Sequence, residues 1–273
     1  MTGAIERIVV ALEAASENRT AIGTAARLAA RWKTRLHGVF VEDDDLIRLA
    51  HLPFARQVTL GFGVQTLNLQ QARRQMHAFA ERARRDLAAA ARRHRVEWSF
   101  EIVHGAAAAQ GVAATTDLFV AGALTRPIDR HFRVECRWWS VGEPIPAAFL
   151  LAHRDWHPHS VVAALLHGSD TSSERLLTVA ARLAEANAAR LAVFCTPDLA
   201  DTNGFKAWLD GCLADHAVTA EVDLIPGEPS VLYRRIAELD CWIVAVEASA
   251  DQAQPERLRE LVATVACDVL VVR

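Results

Sequence analysis

The chain is expected to fold as α/β, with two tandem doubly wound parallel-sheet domains. Three observations predict this. First, one phrase occurs twice. Ala25-Ala26-Arg27-Leu28-Ala29 is followed, after five residues, by Arg35-Leu36 and an apolar run to Val41. It returns as Ala180-Ala181-Arg182-Leu183-Ala184, with five residues before Arg190-Leu191 and a run to Cys195. The offset is 155 at both ends (180 − 25 and 190 − 35). A period that long marks a doubled domain, because solenoid units recur every ~20–50 residues. Second, short apolar runs alternate with amphipathic helical patterns. That is the mark of βαβ units, whose right-handed crossovers lay helices on both faces of a parallel sheet. Third, 273 residues, 52% hydrophobic and 23% charged, suffice for two globular cores.

Arg7 to Leu12 has no helical period and reads as a buried strand. Ser16 or Asn18 is placed to cap the next helix, apolar at Ala21, Ile22, Ala25, Leu28, Ala29 and Trp32. Leu36 to Val41 is the second strand, ended by Glu42-Asp43-Asp44-Asp45. Residues 46 to 65, with Pro53, Gly61 and Gly63, read as irregular. A long Ala/Arg-rich helix follows from Leu67 to Arg95, its apolar stripe at Leu69, Ala72, Met76, Phe79, Ala80, Ala83 and Leu87. Val96 to Val103 is a strand, Gly105 opens a small helix, Asp117 to Ala121 is a strand, and Ala147 to Leu151 a fifth. His153 to His159 reads as a linker.

The second copy repeats the order. Strands are expected at Val161–Leu166, Leu191–Cys195, Thr219–Ile225, Asp240–Val246 and Val269–Val272. Helices are expected at Thr171–Ala188, Phe205–Ala214, Ser230–Leu239 and Pro255–Val265. Gly105 matches Gly227 at an offset of 122, so the first copy holds 33 extra residues (155 − 122) between its second and third strands. The domains are therefore expected at 1–152, with an enlarged loop and helix over 43–95, and at 160–273.

Composition excludes several classes. No uncharged apolar run approaches the ~18–20 residues that span a bilayer. The N-terminal apolar run, Ile8 to Leu12, is flanked by Glu6 and Glu13, so no signal peptide is expected. Five scattered cysteines without a Cys-x-x-Cys argue for a reducing compartment, and a cytoplasmic location is expected. Net charge is −3, unevenly divided. Residues 1–152 carry 20 basic and 15 acidic side chains, +5; residues 153–273 carry 10 and 18, −8. Opposite surfaces of this kind help two copies dock.

Asp240-Cys-Trp-Ile-Val-Ala-Val, preceded by Pro226-Gly227-Glu228-Pro229-Ser230, resembles the fourth-strand region of the universal stress protein family. Cys267-Asp-Val-Leu-Val-Val-Arg273 resembles its closing strand. His167-Gly168-Ser169 stands where that family has Asp-Gly-Ser, and Glu13-Ala14 stands there in the first copy. The resemblance covers nearly the whole chain and weakens over 43–75 and 124–147. It implies two five-stranded, adenine nucleotide alpha hydrolase-like domains, paired through their last strands into an intramolecular pseudo-dimer. A homodimer is the other arrangement open to it.

Part of the family binds ATP through Gly-x-x-Gly, nine residues, then Gly-Ser or Gly-Thr after the fourth strand. Bare backbone there lets several N–H groups converge on phosphate oxygens. This chain departs from the pattern twice. After Gly122 no glycine follows until Gly142, and after Val246 comes Glu247-Ala-Ser-Ala-Asp251, whose carboxylates repel a triphosphate. The first copy retains Glu13, Val41 and Gly122, and the segment after Gly122 brings Arg126 and Arg130, which can grip a phosphate or carboxylate. These five residues are the candidate ligand site. The expected function is non-enzymatic: binding of a small anionic ligand or a protein partner. ATP or AMP in the first domain, with or without slow hydrolysis, is one alternative, and docking through the 43–75 insert is another.

Other clusters read more plainly. Trp138 and Trp139 are expected to pack into the interface between copies, while Arg133 and Arg137 stay solvated or pair with the acidic second copy. The long helix opposes its many arginines only with Glu81 and Asp86, in a chain whose lysines are Lys33 and Lys206. A solvated face is expected there, and nucleic acid is not an expected partner. His153, Asp155, His157 and His159 lie on a linker, a poor cage, and no metal is expected. No Gly-x-Ser-x-Gly occurs, and no catalytic residue is assigned. Cys195 and Cys241 read as small buried hydrophobes.

Overall fold

Strands form where the chain is apolar and β-branched, and two of them are already complete in the sequence runs RIVVAL and VVAAL. The computed structural model describes residues 5–14, 18–42, 56–59, 63–66, 69–105, 108, 111–112, 118–122, 147–152, 161–225, 229–239, 241–248, 261, 264–265 and 267–273. The first half runs β1 (Arg7–Leu12), α1 (Asn18–Trp32), β2 (Arg35–Glu42), β3 (Arg56–Thr59), β4 (Gly63–Thr66) and α2 (Leu69–His94). It continues with β5 (Trp98–His104), β6 (Leu118–Gly122) and β7 (Ala148–Ala152). The second half runs β8 (Val161–Leu165), α3 (Thr171–Asn187), β9 (Arg190–Cys195), α4 (Pro197–Ala200) and α5 (Phe205–Leu213). It closes with β10 (Ala220–Leu224), α6 (Pro229–Glu238), β11 (Cys241–Glu247) and β12 (Asp268–Val272).

Ten strands make one sheet, in the order β10-β9-β8-β11-β12-β7-β6-β1-β2-β5. Every neighbouring pair is parallel except β12 with β7, which run antiparallel with Val269 opposite Leu151 and Val272 opposite Ala148. The sheet is thus two five-stranded parallel groups joined through the last strand of each, the pairing the resemblance implied. Phe119 on β6 and Phe149 on β7 stack beside that seam, with ring centroids 5.7 Å apart.

One side of the sheet is covered by α2, α1, α3 and α5, whose apolar faces share a core with Ile8, Val10, Leu36, Phe40, Val162 and Trp242. The other side is packed by Leu232 and Ile236 of α6 together with Leu261 and Val265. At Gly38 on β2 the absence of a side chain sets the spacing. A Cβ there would stand 2.4 Å from Leu87 Cδ2, so α2 seats on β2 more closely than any larger residue permits.

Two expectations from the sequence are corrected and one element is added. Residues 46–65 are not wholly irregular: β3 and β4 pair antiparallel, Thr59 opposite Gly63. Strands of four residues are too short to show a period, whereas Val58, Thr59, Val64 and Thr66 supply the β-branching. Phe79 flanks the buried stripe of α2 and is 42% exposed, while Ala88 and Ala91 extend that stripe. The short helix α4 was not anticipated; Pro197 starts it, its missing N–H costing nothing at the first helical position. The expected linker 153–159 and most of the expected helix 255–265 lie outside the described residues, although Leu261 and Thr264 have helical backbone.

Candidate functional site

In an open α/β sheet a ligand lies beyond the carboxyl ends of the strands where winding reverses. β1 pairs with β2 on one side and β6 on the other, which puts the first reversal between β1 and β6. The registers Leu12 to Phe40 and Ala11 to Ala121 bring Glu13, Val41 and Gly122 to one edge. Three of the five predicted residues are thus assembled; Arg126 and Arg130 lie outside the described residues.

The turn that carries Glu13 is clamped from the helix. Asn18 Oδ1 accepts from the Glu13 N–H at 3.2 Å, and its Nδ2 donates to the Glu13 carbonyl at 2.9 Å. One neutral side chain therefore satisfies both backbone groups of the residue that follows β1. Glu13 and Gly122 are half-buried, and Val41 packs against the second core. Beside them His104 Nδ1 meets Glu42 Oε2 at 2.9 Å, with His104 on the open edge strand.

The corresponding reversal in the second half, between β8 and β11, is built differently. Asp170 caps α3 and accepts from the N–H groups of Ser172 and Ser173, each at 3.0 Å. These donors, Ser173 first, hold its carboxyl below the usual aspartate range. Ser173, fully buried, donates its hydroxyl to Glu247 Oε1 at 2.5 Å. Burial pushes the Glu247 carboxyl up, the neighbouring Asp170 charge adds to this, and the Ser173 bond opposes it. The first amides of α3, which would otherwise attract an anion, are occupied by the protein's own carboxylate. A second carboxylate stands across the mouth. At the offset of 155 Ser173 corresponds to Asn18, and β11 ends on Glu247 where β6 ends on Gly122.

No family model matches the chain, and no curated protein matches its sequence. Solved structures match it along nearly its whole length. A functionally unknown protein from Pseudomonas aeruginosa PAO1 superposes with a TM-score of 0.62 at 16% identity, covering 99% of this chain and 93% of that one. A putative universal stress protein from Pseudomonas aeruginosa UCBPP-PA14 gives 0.61 at 16%, covering 99% and 94%. A universal stress protein from Archaeoglobus fulgidus DSM 4304 gives 0.61 at 10%, covering 97% and 96%. The chain has the universal stress protein fold.

Among the described residues Cys195, Cys241 and Cys267 are buried and Cys212 is half-buried. Burial pushes the Cys195 and Cys212 thiols up. Cys241 is raised much further, first by its contact with Cys267 and then by burial. None of these three thiols, Cys195, Cys212 and Cys241, resembles a low-pKa nucleophile. Among the described residues no group of three or more His, Cys, Asp or Glu is placed to hold a metal; the 153–159 cluster lies outside them. No helix of the described residues is long and apolar enough to cross a membrane.

Two polar clusters escaped the sequence reading. His37 joins Ser99 Oγ through Nδ1 at 2.7 Å and Glu101 Oε1 through Nε2 at 2.9 Å, a cross-strand ladder between β2 and the edge strand β5. Its parts are about 62 residues apart, so no local spacing announces it. The Ser173–Glu247 bond spans 74 residues, and its only local signal was the run of cap-forming residues from Ser169 to Glu174.

Proposed function

We propose that the protein works by binding and not by catalysis, receiving a small anionic ligand at the carboxyl edge of its first half. The observation that supports this is the contrast between the two strand-end mouths. In the second half Asp170 and Glu247 fill the place of an anion. In the first half the neutral amide of Asn18 binds the backbone N–H and carbonyl of Glu13, and β6 ends on Gly122. Glu13 would take hydroxyl groups of the ligand, Val41 its apolar ring, and Gly122 close approach of its backbone. Arg126 and Arg130, four and eight residues beyond Gly122 in the sequence, would hold the charge. AMP and ATP have this combination of ring, hydroxyls and phosphate. In this proposal the second half, residues 160–273, completes the shared core of residues 1–152 and leaves its own mouth closed. A protein with such a role would work in the cytoplasm.

Titration calorimetry with AMP, ADP and ATP tests it. One ligand per chain is expected for the wild type, with at least tenfold weaker binding for Glu13→Ala and for Arg126→Ala/Arg130→Ala. Absence of heat at millimolar ligand ends the nucleotide assignment, and two ligands per chain would contradict the closed second mouth. The pairing of β3 with β4 favours a second reading, in which the 43–75 insert is a docking element for a protein partner. Deleting residues 46–66 would then abolish partner capture while the ten-stranded sheet stays folded.

A further inference from the structure

Folding gives the arginines of α2 a neighbour. α1 packs along α2, and its 15 residues hold Arg19, Arg27 and Arg31 with no carboxylate. α2 adds seven arginines against Glu81 and Asp86. Together the two helices carry ten arginines and two carboxylates, a formal +8 (10 − 2), in a chain of net charge −3. Everything else in the chain therefore sums to −11 (−3 − 8).

The outer face of α2 is where this charge is presented. Arg74, Arg82, Arg85 and Arg92 are exposed and lie opposite the buried stripe that includes Ala72, Ala80 and Leu87. At 1.5 Å per residue, Arg74 to Arg92 spans about 27 Å. Ala78 and Ala89, between them on the same side, are exposed and small. Among the described residues Arg74, Arg82 and Arg85 have no ion pair, and the pair on this helix is Arg84 with Glu81, 3.8 Å apart and half in solvent. The crowding is felt locally: His94 is held below the ordinary imidazole range by burial, then by Arg27 of α1 and by Arg93.

We propose that the α1–α2 face docks the phosphate backbone of double-stranded nucleic acid, without sequence preference. The sequence alone made this helix a solvated face. What changes the balance is the acid-free helix laid beside it, which brings the pair to +8 in a chain of net charge −3. Charge of one sign concentrated on adjoining helices draws a polyanion to that face. Guanidinium forks suit phosphate. A membrane-binding face would carry outward apolar anchors, and a protein interface would carry a cluster of aromatic ones. On α2, among the described residues, Phe79 is the one large exposed hydrophobic.

The test is fluorescence anisotropy with labelled 20-bp duplexes of two unrelated sequences. The full chain would be compared with the variant Arg74→Gln/Arg82→Gln/Arg85→Gln/Arg92→Gln and with the corresponding four-lysine variant. Circular dichroism of each checks the fold. Four phosphate contacts give a slope near −3.6 in log K against log salt, so raising salt from 50 to 200 mM should weaken binding about 150-fold. Both duplexes should bind equally, the lysine variant should retain most of the affinity, and the glutamine variant should lose ~100-fold or more at 50 mM salt. No binding by the wild type at 50 mM salt overturns the proposal, and so does a glutamine variant that binds as well as the wild type. Two further outcomes overturn it in favour of another partner. One is equal retention by phosphatidylserine vesicles at matched phosphate. The other is a wild-type oligomer, seen by light scattering, that the glutamine variant dissolves.

Discussion

Gly38→Ala is a one-carbon change whose cost can be worked from three distances. The new Cβ would meet Leu87 Cδ2 at 2.4 Å, Phe100 Cδ2 at 3.2 Å and Leu12 Cδ1 at 3.5 Å. Carbon atoms pack at ~3.5–4.0 Å, so Leu87 has to retreat by about 1 Å or more while the other two contacts need little adjustment. Leu87 is fully buried on the inner stripe of α2, so it cannot swing into solvent. Overpacking of this kind costs about 1–3 kcal/mol, or roughly 2–4 °C of Tm per kcal/mol in a chain of this size. Leu87→Ala alone should cost about 2–5 kcal/mol through the cavity it leaves. The new methyl would occupy part of that cavity, so the double variant should resemble Leu87→Ala alone, with a favourable coupling of about 1–2 kcal/mol. Urea unfolding of the four proteins, followed by circular dichroism, measures the cycle. Costs that add within about 0.5 kcal/mol would show that Leu87 is not the obstacle. The close seating of α2 on β2 would then need another cause.

Removing the cap of α3 by Asp170→Ala should cost about 1 kcal/mol at pH 7. Because the carboxyl is held low in the folded chain, that stability is present above its ordinary value of 3.8 and fades as pH falls below it. Urea midpoints at pH 7 and pH 3 check this, and a gap that does not narrow at pH 3 counts against the cap. Glu247 has the opposite sign: its raised carboxyl makes the folded state lose stability as pH climbs from 4.5 through its folded value. Glu247→Gln, which still accepts from Ser173, should therefore be more stable than the wild type at pH 7 and indistinguishable from it near pH 4. A variant that is less stable at pH 7 refutes this. Phe149→Ala removes a ring that is 2% exposed beside the seam and should cost about 3–5 kcal/mol. Unfolding that becomes biphasic, with the halves melting separately, is the expected accompaniment in calorimetry.

What could be read from the chain and what could not follows the range of the interactions. Apolar runs and the 155-residue repeat report local burial, so the strands of the large sheet fell within about two residues of their places, whereas Asn18, expected as a possible cap, is the first described residue of α1 and its side chain binds the backbone of Glu13. The seam between β7 and β12 depended on the resemblance alone, since nothing in Ala148–Ala152 or Asp268–Val272 specifies an antiparallel partner. β3 and β4 were missed because four residues are too few to make a period. The candidate site was legible in part. Glu13, Val41 and Gly122 follow from which strand ends lie at the reversal, whereas Asn18 locking Glu13 and Ser173 holding Glu247 are matters of side-chain geometry.

That last pair bears most on how one fold carries two different strand ends. Both halves place a helix N-terminus beside the switch strand, and that geometry favours negative charge whatever supplies it. In the second half the chain supplies the charge itself. Asp170 is held by two N–H groups, and Glu247 accepts the buried hydroxyl of Ser173 although burial disfavours its ionised form. A carboxylate kept in a site that raises its pKa works against stability at neutral pH, so packing alone does not account for Glu247. Its effect is to make that end self-sufficient in negative charge and therefore unattractive to an outside anion. In the first half the Asn18 amide is engaged with the backbone of Glu13 and β6 ends on Gly122, and in the proposed function an anionic ligand would supply at that end the charge that Asp170 and Glu247 supply in the second.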